Sequence, residues 1–327
     1  MNFKKYFYIS FIGIIISLLT IVGMVVFVDP YQQYRASDVF IGNQRLENPG
    51  VAKHHDYNAV IVGSSMAMNH YPSQVDSLFG WNTINLTITG VLDNDYSKIL
   101  PYIAHWGKMK HLIMTIDHFS FIRPVIPLDA YLYDNKWLND LEYWLNYTSL
   151  KCTVNKLNSK KELSRDEKYH FTQPCGKELV LNYYNRDNKA SYFANYDFDH
   201  MEQRFDEMLE MIMPSLSDVN VYIYFPPYSI LKFKFYEQYG HLKRILDFKM
   251  YVIDALLHYE NVKLYDFQRE DFICNLDEYM DIFHHSHAYN KRIIECIHAD
   301  CFRVTEGNYR QDLLVLDSLV RNFEIPN

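Results

Sequence analysis

Five short apolar runs constrain this chain more than any other feature. Residues 58–65 (NAVIVGSS), 82–88 (NTINLTI), 111–117 (HLIMTID), 220–227 (NVYIYFPP) and 261–268 (NVKLYDFQ) are rich in Val, Ile and Tyr. Each gives way to Gly, Asp, Pro or Ser, the pattern of strands buried on both faces of a parallel sheet. Helical spacing occupies 94–106, 199–214, 234–258 and 287–302. Strand and helix in alternation bury their apolar faces only as a parallel sheet covered on both sides. The expected fold is therefore α/β: a flavodoxin-like three-layer sandwich with a five-stranded parallel sheet in the order 2-1-3-4-5. Between the third and fourth runs lies an aromatic and polar stretch, about 122–198, too long for a structureless loop. It reads as a partly helical insertion, either a lid or acceptor-binding surface over the strand ends or a peripheral appendage.

Residues 6–28 carry no charge and are mostly Ile, Leu, Val and Phe. A bilayer core needs about 20 such residues at helical rise. Lys4 and Lys5 precede the run and Asp29 follows it, which places the N-terminus in the cytoplasm and the body outside. The stretch MVVFVDPY offers no small-x-small cleavage site, so the run reads as an uncleaved anchor. The expected organisation is a cytoplasmic N-terminus and transmembrane anchor (1–29), an extracytoplasmic α/β domain (30–304) and a C-terminal helical tail (305–327). The 327 residues also suit two smaller domains. A net charge of −8 without a basic tract argues against a nucleic-acid partner. The 28 tyrosines and 21 phenylalanines suit an aromatic core or an apolar or carbohydrate-binding cleft. Of the five cysteines, Cys152 and Cys175 are a conceivable disulfide in an oxidising compartment. The odd count, without metal-type spacing, favours mostly free and buried thiols.

Ligands of open α/β sheets collect at the carboxyl ends of the strands. Those ends present Gly63-Ser64-Ser65, Thr89-Gly90, Asp117-His118 and Pro226-Pro227-Tyr228-Ser229. After the fifth run, Asp281 and His284 stand three apart, just before a helix that Ser286 can cap. A serine hydroxyl needs a base to take its proton and a third group to orient that base. Spacing of i, i+3 on a helical turn lets Asp281 fix the His284 tautomer. Gly63 permits a sharp turn, and Gly90 lets a backbone N–H approach an oxyanion. Several alternatives stand beside this. Ser65 could be only a small residue at a strand–helix turn, Ser64 could be the nucleophile, and His285 could be the base. His284, His285 and His287 with Asp281 invite a zinc reading. Adjacent histidines point apart, however, and no HxxxH or HxH group appears at another strand end, so neither metal nor cofactor is expected. His54, His55 and His70 read as surface residues. Asn85 and Asn146 match glycosylation acceptors, and Pro227 and Tyr228 can shape an acyl or sugar pocket.

Taken in order, VIVGSS after a VDPY stretch, INLTITG, YFPPYS and EYMDIFHHS resemble the membrane-anchored SGNH/GDSL-type hydrolases and acyltransferases. The resemblance covers about 30–300. It points to the extracytoplasmic branch that includes the D-alanyl-lipoteichoic-acid biosynthesis protein D and enzymes of polysaccharide O-acetylation. It implies Ser65 as nucleophile, with Ser64 in the Asp position of Gly-Asp-Ser. It implies that the N–H groups of Ser65 and Gly90 form the oxyanion hole, and that Asp281 and His284 are the paired Asp-x-x-His. The pattern departs at the third strand, where an Asn is the usual further donor and this chain has Asp117. An ionised carboxylate only accepts hydrogen bonds, so Asp117 must be protonated to donate, or serve otherwise. The implied activity is that of a serine esterase or O-acyltransferase on ester-linked acyl groups of cell-surface glycans. A multi-spanning membrane O-acyltransferase is the implied partner. A non-catalytic glycan-binding or scaffolding subunit, or a lipid esterase, are the alternatives.

Overall fold

The computed structural model describes residues 3–126, 128–134, 136, 138–158, 165–167 and 173–326. Parts of the expected cytoplasmic N-terminus (1–2), the insertion (127, 135, 137, 159–164, 168–172) and the tail (327) lie outside the described residues. The chain divides into two compact units, one of residues 1–55 with 128–164 and one of residues 56–127 with 165–327.

The second unit carries the sheet. Its strands are β1 (Ala59–Val62), β2 (Thr83–Asn85), β3 (His111–Thr115), β4 (Asn220–Phe225) and β5 (Val262–Asp266), all parallel in the order β2-β1-β3-β4-β5. Every residue of β1 is buried, as a central strand with helices on both faces requires. Helix Met201–Ile212 shows how those faces are covered: Met201, Phe205, Met208, Leu209 and Ile212 are buried, a single stripe at helical period. The helical stretch expected over 234–258 is two helices, Ile230–Gln238 and Leu242–Leu256. Gly240, at φ +77°, takes the left-handed conformation that ends the first of them. Because β1 lies between β2 and β3, the crossovers leave it in opposite directions, which opens a crevice at its carboxyl end.

That end is crowded. A Cβ at Gly63 would collide with Thr115 Oγ1 and lie 3.1 Å from Thr115 Cβ and 3.3 Å from Ala67 Cβ. Thr115 Oγ1 is itself committed, accepting from the Ser64 N–H (3.2 Å) and donating to Asp117 Oδ2 (2.9 Å). Gly63→Ala should therefore lower stability by about 1–3 kcal/mol, the usual cost of overpacking. A urea midpoint equal to that of the parent chain would show that Thr115 has room to move.

The first unit begins with helix Phe3–Val28, whose mean hydropathy reaches 2.9 over its most apolar window, long and apolar enough to cross a membrane. The helix stops at Asp29, at φ +47°, whose carboxylate accepts from the N–H groups of Gln33, Tyr34 and Arg35 and from the Tyr143 hydroxyl. Arg35 returns to bond the terminal carbonyls of Val26 and Phe27. A small core of Val25, Tyr31, Leu46, Tyr131, Leu132 and Tyr143 joins this segment to residues 128–158.

Candidate active site

After Gly63 the chain leaves β1 in a tight turn that separates the two serines. Ser64 is buried; its N–H donates to Thr115, its Oγ accepts from the Met66 N–H (3.1 Å), and its hydroxyl also bonds Asp117. Ser65 turns the other way, with its Oγ 2.8 Å from His284 Nε2. The turn is stapled from β2 by Asn85, whose amide nitrogen donates to the carbonyls of Met68 (3.1 Å), His70 (3.3 Å) and Ala67 (3.4 Å). Buried and fully occupied, Asn85 is not available as a glycan acceptor in the folded protein. Parallel pairing continues past β2 through the Ile88 N–H on Gly63 O (2.8 Å), which carries Gly90 to the same rim.

Asp281 and His284 do not lie on a helical turn. They form a bend closed by a short antiparallel bridge between Tyr279 and His285, with the Met280 N–H on His284 O (2.8 Å). The bend suits the carboxylate better than a helix would, because it turns two N–H groups inward. Asp281 Oδ1 accepts from the N–H of Phe283 and of His284, both at 2.7 Å, leaving Oδ2 to face His284 Nδ1 at 2.7 Å. Burial raises the Asp281 pKa, but the His284 ring and the two N–H groups outweigh it and hold the carboxyl below its ordinary range. An ionised Asp281 keeps the proton on Nδ1 and leaves Nε2 as an acceptor facing Ser65 Oγ. His285 follows in extended backbone, so its ring points to the opposite side and is buried near Tyr279 and Tyr289. His287 stacks on Tyr71 instead, with ring centres 6.0 Å apart.

Ser65, His284, Gly90 and Asp117 line one cavity of about 370 Å3, walled by Phe119, Arg123, Tyr192, Tyr196, Tyr228 and Phe283. Gly90, at φ +63°, presents a face without a side chain to this cavity. Asp117 sits at its base, 2% exposed, accepting from the hydroxyls of Tyr228 and Thr115 as well as Ser64. Burial raises its pKa against the lowering effect of those hydrogen bonds. Every Asp117 bond named here is one it accepts. Pro227 contributes its carbonyl to the Tyr279 hydroxyl (3.0 Å).

Several participants carry no signal in the sequence. Lys232, which no motif marks, is wholly buried. Its Nζ lies 4.5–5.5 Å from the ring centres of Phe119, Tyr192, Phe193, Phe235, Tyr236 and Phe283, three of which form the cavity wall. Burial lowers its pKa well below the ordinary lysine value. His70 is likewise buried, not on the surface, with its Nε2 bonded to the hydroxyl of Tyr224 on β4 (2.6 Å). His54 and His55 are half-buried, each with a partner in the Gln32–Gln33 segment. All five cysteines are free, so the conceivable Cys152–Cys175 bridge is not formed; Cys175 and Cys301 are exposed.

Buried histidines make the fold sensitive to acid. Burial pushes His70 and His285 down to about 3, whereas in an unfolded chain both titrate near ~6.5. They are neutral in the fold and take up protons on unfolding. Their contribution to stability is therefore complete above about pH 6.5 and is lost as pH falls toward 3. The urea midpoint of the chain in detergent micelles should stay level from pH 7.5 to about 6.5 and decline steadily from there to pH 5. A flat or rising midpoint would mean that these rings are charged in the folded state.

Fold and site together define an α/β protein with a serine, histidine and aspartate in one hydrogen-bonded row at the carboxyl ends of a parallel sheet. No protein-family profile matches the chain, and no curated protein matches it in sequence. Among solved structures it is similar to a lipase from a goat rumen metagenome, at a TM-score of 0.38 and 13% identity, over 75% of this chain and 97% of that one.

Proposed function

We propose that this protein is a membrane-anchored serine esterase or O-acyltransferase acting on ester-linked acyl groups of cell-surface glycans. The observation that carries the chemistry is the row Ser65 Oγ–His284 Nε2–His284 Nδ1–Asp281 Oδ2, with spacings of 2.8 and 2.7 Å, opening on a cavity. Ser65 Oγ attacks the acyl carbonyl while His284 Nε2 takes its proton. The N–H groups of Ser65 and Gly90 stabilise the tetrahedral oxyanion. On collapse, the ester C–O bond breaks and His284 returns the proton to the leaving alcohol. A sugar hydroxyl or water then attacks the acyl-serine, with His284 taking its proton; the acyl–Oγ bond breaks and His284 returns the proton to Ser65. Asp117 contributes by holding Ser64, Thr115 and Tyr228, not by donating to the oxyanion. The helix Phe3–Val28 serves as the anchor, and Lys4 and Lys5 in its first turn, ahead of the uncharged run, favour a cytoplasmic N-terminus with the catalytic unit outside. That location suits an acyl donor supplied by a multi-spanning membrane O-acyltransferase.

A non-catalytic glycan-binding subunit has no use for a carboxylate that fixes an imidazole against a half-exposed hydroxyl. A fluorophosphonate probe separates the two readings. The folded chain should be labelled, and the modified peptide should map to Ser65. Failure to label folded protein at pH 7–8, together with no turnover of 4-nitrophenyl acetate, would favour the binding subunit. A preference for long acyl chains over glycan identity would move the assignment to a lipid esterase.

A further inference from the structure

The cavity holds a cation that the catalytic row does not use. Every other arginine of the α/β unit has a carboxylate within 3.6 Å, from Arg165 on Asp76 to Arg321 on Asp317. Arg123 alone among the described residues of that unit has no such partner, in a chain with 40 acidic residues. It is half-buried in the cavity wall, and its Nη1 would lie 2.9 Å from a Cβ placed on Gly90. The guanidinium therefore rests against the glycine proposed to face the oxyanion.

Its backbone, in contrast, is firmly held. Arg204 donates to the carbonyls of Ser120 (3.2 Å), Phe121 (2.8 Å) and Arg123 (2.8 Å), while its remaining donors clasp Asp93. One arginine is thus spent on fixing the segment that presents the other. Among the described residues the only acidic side chain lining the cavity is Asp117, whose carboxylate is engaged by buried hydroxyls. A guanidinium offers a planar fork of donors that matches a carboxylate or phosphate two bonds at a time. Tyr192 and Tyr196 stand in the same wall, with aromatic faces on which a sugar ring can pack.

We infer that the glycan bound in this cavity is anionic, with a carboxylate or phosphate that docks on Arg123 beside the reacting ester. This rests on the esterase or acyltransferase reading of the same cavity and narrows its substrate class.

The test is calorimetric binding to the full-length Ser65→Ala chain in micelles, which cannot consume a probe. Two matched pairs are compared: trigalacturonate with its uncharged methyl ester, and sn-glycerol 3-phosphate with glycerol. At least one anionic probe should bind about ten- to a hundredfold more tightly than its neutral twin, the range expected for a charged hydrogen-bond pair. The arm that responds identifies carboxylate or phosphate. Arg123→Gln should erase the preference, and Arg123→Lys should keep part of it. Circular dichroism of both variants checks that they are folded.

Equal binding of the twins, a preference that survives Arg123→Gln, or no binding by any probe would overturn the inference. Wild-type turnover of neutral esters without any anion preference would sink this inference and leave the esterase reading standing. Anion binding lost in Arg123→Gln, in a chain that neither turns over esters nor labels with the fluorophosphonate, would do the opposite.

Discussion

Ser65→Ala and His284→Ala should each reduce ester turnover by a factor on the order of 10³ or more, with the fold intact. The size follows from the geometry: the hydroxyl and the imidazole are 2.8 Å apart and act as a unit, so losing either disables the same proton transfer. Removing both should cost little more than removing one. Fluorophosphonate labelling should vanish in Ser65→Ala and fall steeply in His284→Ala. The neighbouring histidine gives the contrast. His285 is 2% exposed and faces away, so His285→Ala should lower the unfolding midpoint before it affects the chemistry of the surviving fold. If His285→Ala removed turnover at unchanged stability while His284→Ala did not, the base would have been misassigned.

Asp281→Asn should cost roughly 10³ to 10⁴ in turnover, although it changes one atom and almost no volume. The reason lies in how the carboxylate is shared. Oδ1 already accepts two backbone N–H groups at 2.7 Å, and only an oxygen can fill that position. An asparagine must leave its oxygen there, which turns its NH₂ toward His284 Nδ1. The imidazole then keeps its proton on Nε2, aimed at the serine it should deprotonate. The loss should fall on kcat, with KM little altered. A small effect would mean that the bend can rotate the amide at low cost. Acidification acts on the same contact: Asp281 is held below its ordinary range, so the pairing persists at mildly acid pH and fails only as pH falls through that lowered value.

Much of this molecule is legible in its sequence because it depends on local pattern. Short apolar runs without alternation can only be strands covered on both sides, and their spacing leaves room for the crossovers that make them parallel. Asp281 and His284 are close in the chain, so their pairing is a short-range property; even there, the bend that supplies two N–H groups was read as a helical turn. Residues 234–258 read as one helix because hydrophobic period survives a break, and Gly240 at φ +77° is what breaks it.

The choice between Ser64 and Ser65 is not legible in local pattern; only the resemblance pointed to Ser65. Both are small hydroxyls after a glycine, and what separates them is Thr115, 51 residues on from Ser64, taking the Ser64 N–H. Lys232 and His70 were misjudged or unnoticed for a similar reason: polarity predicts exposure only when no aromatic box or buried tyrosine awaits the side chain. Arg123 and Arg204 carry no motif at all, and the acceptor motif at Asn85 says nothing of its place in the turn. By itself the sequence determined the strands, their order in an α/β sheet, the apolar N-terminal helix and the local acid–imidazole pair, since each rests on local pattern, on spacing of a few residues or on the topology that such a pattern permits. The tertiary structure alone decided which hydroxyl meets the imidazole, which cation lacks a counter-charge and which polar groups are buried. Those outcomes depend on contacts between segments far apart in the chain, and local pattern holds no record of them.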